Sequence, residues 1–333
     1  MTHDRGAIPI PDEVPDSTDE IVEGTPPRWL PWVERIVGTL LLGAAIWVIG
    51  RELHDVSAFE VIRAAAAVPR WQLGLAVAAT VLNYAIMTGY DHLALRQLGR
   101  TLSAWRISVA GFVAFAVVNS LGFALITGPW ARLRFYKRWG VDLAVLPQVV
   151  AFNAITVWTG LFALLGAVLA IKPEAALQAW APLPFWRAVG AAMLGTVVLY
   201  VYFAATMKHP IHVWRWTLHM PNVRLAMSQV ALSSTDWLLV AWVLWLLLPN
   251  GTVPFGTLLA AFLAAQLIGL LSHVPGSLGV FEGTMLSLLH GDVPAHVLIA
   301  GLLLFRIIFY LIPLTVALVA VAGSALSGPA RRG

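Results

Sequence analysis

The sequence predicts an all-α, polytopic integral membrane bundle, and three observations carry that prediction. Of 333 residues, 59% are hydrophobic and 11% charged, where a soluble domain carries about 25% charged residues. The charges are unevenly placed, with seven acidic and two basic residues inside positions 1–31. Beyond them, apolar runs about 20 residues long recur, the length that crosses a hydrocarbon core of about 30 Å at 1.5 Å per residue. Uniform apolarity over such lengths points to helices, because barrel strands would alternate over about 10 residues.

The elements follow in order. Residues 1–31 hold six prolines and few aromatics, too little apolar surface to offset the entropy of ordering, and read as a disordered acidic tail. A single transmembrane domain is expected over 32–324 and a short C-terminal tail over 325–333. The apolar segments are 32–50, 71–93, 107–128, 143–171, 186–206, 225–248, 255–273 and 294–323, with a semi-apolar piece at 274–290. The first lacks a small-residue cleavage site and reads as an uncleaved span. Trp29, Trp32, Trp71, Trp180, Trp186, Trp214 and Trp216 cluster at segment ends, the pattern of an interfacial aromatic belt.

Charge placement refines the topology. With a cytoplasmic N-terminus and all eight segments crossing, the loop Lys and Arg residues divide ten to ten, with no positive-inside bias. If 107–128 enters and returns on the same side, the division becomes fifteen to five. The expectation is therefore about six full spans and two broken or re-entrant segments. One carries Asn119-Ser-Leu-Gly122 and Thr127-Gly-Pro129, and the other is broken at His273-Val-Pro-Gly-Ser-Leu-Gly279. Gly128, Pro129, Pro275, Gly276 and Gly279 are the expected gate or broken-helix positions. The two breaks would open to opposite sides, as in an inverted repeat of discontinuous helices around a midplane site. The alternative is a Pro/Gly kink in an ordinary span, whose freed backbone groups neighbours re-satisfy.

Several chemistries are excluded. The chain has no cysteine, which removes a disulfide-built fold, thiol catalysis and iron–sulfur ligation. Its basic residues are scattered over loops without the stripe of a nucleic-acid reader. His209, His212 and His219 find no Glu, Asp or Cys to complete a metal set, so no metal is expected. Ser272 and His273 are adjacent and point different ways on a helix, and neither G-x-S-x-G nor a Walker loop occurs. No cofactor is expected.

An ionisable side chain inside a span costs at least about 2.5–3.5 kcal/mol on insertion scales. Asp91, Asp236, Glu282 and Arg306 all fall there. In one reading they line a polar path, the carboxylates meeting a cationic headgroup and the arginine a phosphate. In the other, Glu282 or Asp236 pairs with Arg306 to fix helix packing, and Asp91, a turn from the interface, reaches headgroup water. Arg132, Arg134, Tyr136, Lys137 and Arg138 form a basic cluster beside the first break. It would bind anionic headgroups at about 1 kcal/mol per base near the surface, or simply anchor the loop. Asn119 is a ligand or a cap for the broken helix.

Five stretches carry a likeness. They are Tyr90-Asp-His-Leu-Ala-Leu-Arg96; Asn119-Ser-Leu-Gly-Phe123 with Arg132-Leu-Arg-Phe-Tyr136 and Trp139-Gly140; Asp236-Trp237 with Leu248-Pro249; Ser272-His-Val-Pro-Gly-Ser-Leu-Gly-Val-Phe-Glu282; and Phe305-Arg-Ile-Ile-Phe-Tyr310 with Pro313. Together, over about residues 33–324, they resemble the transmembrane flippase domain of bacterial lysylphosphatidylglycerol synthase/flippases (multiple peptide resistance factors) and their stand-alone relatives. Two departures stand out: Gly128-Pro129 where the family has paired glycines, and Pro275-Gly276-Ser277 where it has Pro-Gly-Gly. The chain stops at Gly333, without the soluble aminoacyl-transfer domain of the full-length synthases, so synthase activity is not carried over.

The resemblance implies a multi-pass protein of the bacterial inner membrane that translocates a polar-headed phospholipid or lipid-linked compound. Asp91, Asn119, Arg132, Arg134, Tyr136, Asp236, Glu282 and Arg306 are the candidate substrate path. Two other readings stay open. One is a non-transporting membrane partner of a separately encoded lipid-modifying enzyme. The other is an intramembrane transferase using Asp91 or Glu282 as acid or base, for which no donor-binding motif is present.

Overall fold

The computed structural model describes residues 57–326 except 101, 122–123, 140–144, 172–180, 208–210, 214–215, 219 and 250–251. The acidic tail, the apolar segment 32–50 and residues 327–333 lie outside the described residues. What is described is helical apart from one short ribbon, as expected of a polytopic membrane protein.

Helix α1 (Ala58–Ala66) starts at a capping box, Ser57 Oγ accepting the Glu60 N–H and the Glu60 carboxylate accepting the Ser57 N–H. Helix α2 (Arg70–Gln97) follows Pro69, and Gly99, at φ 63°, turns the chain away beyond its C-terminus. Helices α3 (Ala104–Leu121) and α4 (Ala124–Arg138) come next, then α5 (Leu146–Ile171) and α6 (Leu183–Thr206). Strands β1 (Ile211–Val213) and β2 (Trp216–Leu218) pair antiparallel, Ile211 opposite Leu218. Helix α7 (Val223–Leu246) is capped by Asn222, whose Oδ1 accepts the Leu225 N–H at 2.9 Å. Helices α8 (Phe255–Ser272) and α9 (Val280–Leu288) flank the second break. The last helix runs as α10 (Ala295–Phe305), a π-helical stretch Arg306–Leu311, and α11 (Ile312–Leu326).

Six of these helices are long and apolar enough to cross a membrane: α2, α5, α6, α7, α8 and the last helix over Ala295–Gly323. Contacts between named residues give their directions. Gly89 approaches Leu232 while Asn83 bonds Asp236, so α2 and α7 run antiparallel. Thr156 pairs with Gln229, and Gly160 with Ser233, so α5 and α7 run parallel. Helices α5 and α6 cross where a Cβ on Gly190 would lie 2.5 Å from the Ala170 nitrogen, a backbone approach that only glycine permits.

The first break is a helical hairpin. Arg106 lies 5.7 Å from the Trp139 ring centroid, Arg132 lies 5.1 Å from that of Phe115, and Gly128 faces Val118. The outer ends of both arms, at Arg106 and Trp139, are therefore together at one end of the bundle, and the two arms run antiparallel away from it. One expectation is corrected here. Gly128-Pro129 does not break the chain; Pro129 lies inside α4, which runs through it. A single proline removes one backbone donor, and Gly128 has its own task as the tight contact between the two arms.

The second hairpin enters from the opposite end. Phe262 packs on Phe281, and a Cβ on Gly269 would meet Ser277 Oγ at 2.8 Å, so α8 and α9 are antiparallel across the break. The two tips meet: a Cβ on Gly276 would lie 2.9 Å from the Ser120 carbonyl oxygen. Asn119, beside that contact, reaches Tyr84 halfway along α2. Around the meeting point Phe262, Phe281, Phe305, Phe309 and Tyr310 form a continuous aromatic core, the van der Waals packing that holds helices together when lipid removes the hydrophobic drive.

Candidate functional site

The second break is where the backbone departs furthest from a helix. His273 (φ 54°), Gly276 (φ 59°), Ser277 (φ 51°) and Gly279 (φ 79°) all adopt left-handed conformations. Two of them carry side chains, which cost free energy there. Ser272 stitches the turn, donating to the Gly269 carbonyl at 2.7 Å and accepting the Val274 N–H at 3.2 Å. Glu282 then reaches back so that its Oε2 accepts the Gly279 N–H at 2.8 Å, an anion satisfying the first turn of α9. Arg306 completes the clasp from the last helix. Its Nε donates to Glu282 Oε1 at 2.7 Å, and its Nη1 donates to the Gly276 carbonyl at 3.0 Å. The guanidinium also stacks 4.7 Å from the Tyr310 ring centroid.

The first hairpin has a related clasp. Arg132 donates from Nε and Nη2 to both oxygens of Asp91, at 2.9 and 2.8 Å, and from Nη1 to the Gly128 carbonyl at 3.3 Å. Asn153 on α5 donates to the same carboxylate at 2.6 Å. Asp91 and Arg132 are 0% and 2% exposed, whereas Glu282 and Arg306 are 20% and 16% exposed. The first pair is closed off from the surface, and the second is part-exposed.

Asp236 stands apart from both clasps. It sits between α7 and α2, its Oδ1 accepting Asn83 Nδ2 at 2.7 Å and its Oδ2 accepting the Tyr90 hydroxyl at 2.7 Å. Of the two pairings open to Arg306, the fold makes Glu282 the partner. The expectation that Asp91 reaches headgroup water is overturned: its side chain is fully buried, because α3, α4 and α5 close over it and Arg132 supplies the compensating charge. Asn119 donates to Tyr84 Oη at 3.4 Å, on a neighbouring helix, and is packed into the interface between α2 and α3. Tyr136 is 0% exposed with its hydroxyl near the Asp91–Arg132 pair, while Arg134, Lys137 and Arg138 face outward near the base of the hairpin.

A family model described as the lysylphosphatidylglycerol synthase TM region matches residues 35–317, which take in both hairpins and both clasps. The chain belongs to this family. The uncharacterized protein slr0712 of Synechocystis sp. is 32% identical over 84% of this chain and 87% of its own length. The inner membrane protein YbhN of Escherichia coli is 28% identical, over 73% of this chain and 77% of its own length. A phosphatidylglycerol lysyltransferase of Staphylococcus haemolyticus is 25% identical over 88% of this chain, which corresponds to 34% of that longer protein.

For this member of the lysylphosphatidylglycerol synthase TM-region family, a sequence reading confined to charges overlooked the amides and hydroxyls that hold them. Asn83, Tyr90 and Asn153 are the partners of Asp236 and Asp91. The signal was available, since Asn83 and Asn153 are polar residues in the middle of apolar spans, where an unsatisfied amide is costly.

Proposed function

We propose that the chain translocates a polar-headed phospholipid, of the anionic glycerophospholipid class, between the leaflets of a bacterial inner membrane, with its N-terminus in the cytoplasm. The observation that carries this reading is the meeting of two oppositely directed hairpin tips at Ser120 and Gly276, beside the part-exposed Glu282–Arg306 pair. Helical hairpins from opposite leaflets, joined at the midplane, are the arrangement of alternating-access carriers. The family's name, taken from lysylphosphatidylglycerol, and a relative named a phosphatidylglycerol lysyltransferase point to the substrate class.

The chemistry is an exchange of partners. Separating Glu282 from Arg306 alone would leave two uncompensated charges in a low-dielectric interior. A lipid phosphate arriving at Arg306 replaces Glu282 with another anionic, bidentate acceptor. The freed carboxylate meets a headgroup ammonium or hydroxyl. Release of the Gly276 carbonyl by Arg306 then frees the second tip from Ser120. Outward-facing Arg134, Lys137 and Arg138 draw anionic lipid to the base of the first hairpin.

The test is a proteoliposome assay with labelled phospholipid, run beside an active relative. Transport by the wild type, lost in Glu282→Gln and Arg306→Ala at unchanged expression, supports the reading. A wild type that moves no lipid while the control does overturns it. A second reading, a membrane partner for a separately encoded lipid-modifying enzyme, draws on the lysyltransferase match lying within a third of that protein. It expects both variants to act normally so long as they fold.

A further inference from the structure

We propose that Asp236 is a proton-binding site at the α2–α7 interface, loaded and unloaded as the carrier changes conformation. This deepens the translocation reading by naming its coupling ion, and the binding site itself is testable without transport.

Four observations carry it. Asp236 is buried midway along α7, 6% exposed. Every donor to it is neutral: Asn83 Nδ2 at 2.7 Å and the Tyr90 hydroxyl at 2.7 Å. Among the described residues it has no ion pair, although each of the other two carboxylates held in the hairpin clasps has an arginine. Finally, Asn83 Oδ1 is buried with no donor. That oxygen stands on the same amide that donates to the carboxylate. Turning the amide over presents Oδ1 to Asp236 and satisfies it only if the carboxyl carries a proton. The ionised form takes a hydrogen bond from Asn83 and the protonated form gives it one, at the cost of the second bond that Nδ2 makes to the Asp236 backbone carbonyl at 3.0 Å.

Among the described residues, the polar side chains on the helices packed around Asp236 have partners of their own, and His92 on α2 is bonded to the Thr88 carbonyl at 2.9 Å. Helix α2 presents Asn83, Tyr90 and Tyr84, whose hydroxyl is committed to the Phe309 carbonyl at 3.1 Å. Helix α5 presents Thr156, bonded to Gln229, and the Val157 carbonyl, which accepts the Trp237 indole N–H at 3.1 Å. Helix α6 presents Tyr200, bonded to Gln229. Helix α8 presents Phe262, packed on Trp237. Asp91 follows Tyr90 on α2 but turns to Arg132, and Glu282 turns to Arg306 at the second tip.

Pairing a permanently compensated acid with an uncompensated one suits a carrier. A charge left alone at the bilayer centre disfavours any conformation that seals it from water. Protonation removes that charge, so the closed α2–α7 interface is favoured more by a neutral carboxyl than by an ionised one, and ionisation shifts the balance toward opening to water. The proton enters Oδ1 from whichever side has opened and leaves to the other.

The experiment is infrared pH-difference spectroscopy on the purified full chain in nanodiscs, followed by transport in proteoliposomes. The expected result is a protonated-carboxyl band that titrates in the wild type, is absent in Asp236→Asn, and shifts its midpoint in Tyr90→Phe. A band that persists in Asp236→Asn, or no titrating band at all, overturns the proposal. If Asp236→Asn fails to fold, Tyr90→Phe decides, since a titration it leaves unmoved does not belong to this site. The titration is repeated with sodium replaced by N-methyl-glucamine, and dependence on sodium overturns the proton in favour of a metal cation. In proteoliposomes the wild-type rate should follow the titration, changing by up to about tenfold per pH unit on its limiting side, with Asp236→Asn flat. A titrating Asp236 in a protein that moves no lipid upholds the proton site and removes the translocation reading. Lipid movement without a titrating Asp236 does the reverse.

Discussion

Arg306 ties the second hairpin tip to the bundle, its Nη1 donating to the Gly276 carbonyl at 3.0 Å while its Nε holds Glu282 at 2.7 Å. Arg132 does the same for the first hairpin, taking the Gly128 carbonyl and Asp91. In both, one arginine joins a carboxylate to a glycine carbonyl of the hairpin. The difference is exposure, and on the translocation reading it separates an anchor from a latch.

The anchor should be costly to break. Arg132→Ala or Asp91→Asn strips one partner from a dry ion pair, and a loss of about 3–5 kcal/mol is expected. Thermal unfolding in detergent measures it. Replacing both together with apolar residues of similar volume should recover much of the loss, because no lone charge then stays buried.

The latch should behave differently. Glu282→Gln keeps a hydrogen-bond acceptor for Arg306 and leaves a charge that water partly reaches, so its stability cost should be about 1 kcal/mol. Its effect on lipid movement should be near complete. A large stability loss with residual transport would place Glu282 in the anchor class.

Ser277 occupies left-handed backbone at φ 51°, a conformation that favours glycine. Ser277→Gly should raise the melting temperature, relieving about 1 kcal/mol of backbone strain. Gly269→Ala should be harmful in the wild type, because its Cβ would meet Ser277 Oγ at 2.8 Å, and tolerated in the Ser277→Gly background. A double-mutant cycle reads that coupling.

Gly276 faces the Ser120 carbonyl with no room for a side chain. Gly276→Ala should part the two tips at a cost of about 1–2 kcal/mol from the clash and its left-handed backbone. The chain has no native cysteine, so Ser272→Cys is a clean reporter. Ser272 is 0% exposed, and that reporter should be unreactive to a water-soluble thiol reagent until Gly276→Ala is added.

Much of the architecture was legible in the chain because a bilayer imposes it. Apolar runs of span length follow from transfer free energies that act residue by residue, and the break at 273–279 follows from the backbone chemistry of Pro and Gly. The same reasoning singled out Asp91, Asp236, Glu282 and Arg306. It misread Gly128-Pro129 as a break, because a proline signals one lost donor and says nothing of the neighbours that make the loss tolerable.

By itself, then, the sequence determined which segments are apolar enough to enter a membrane and which charges inside them need partners. Only the tertiary structure decided who accompanies whom. Asp91 and Arg132 are 41 residues apart, Glu282 and Arg306 24, and Asp236 and Asn83 153. None of these pairs shares a helix, so no periodicity encodes them. They form where α4 of the first hairpin packs on α2, where α9 of the second packs on the last helix, and where α2 and α7 lie side by side, and that packing divides the charges into a closed anchor, a part-exposed latch and one carboxyl with only neutral partners.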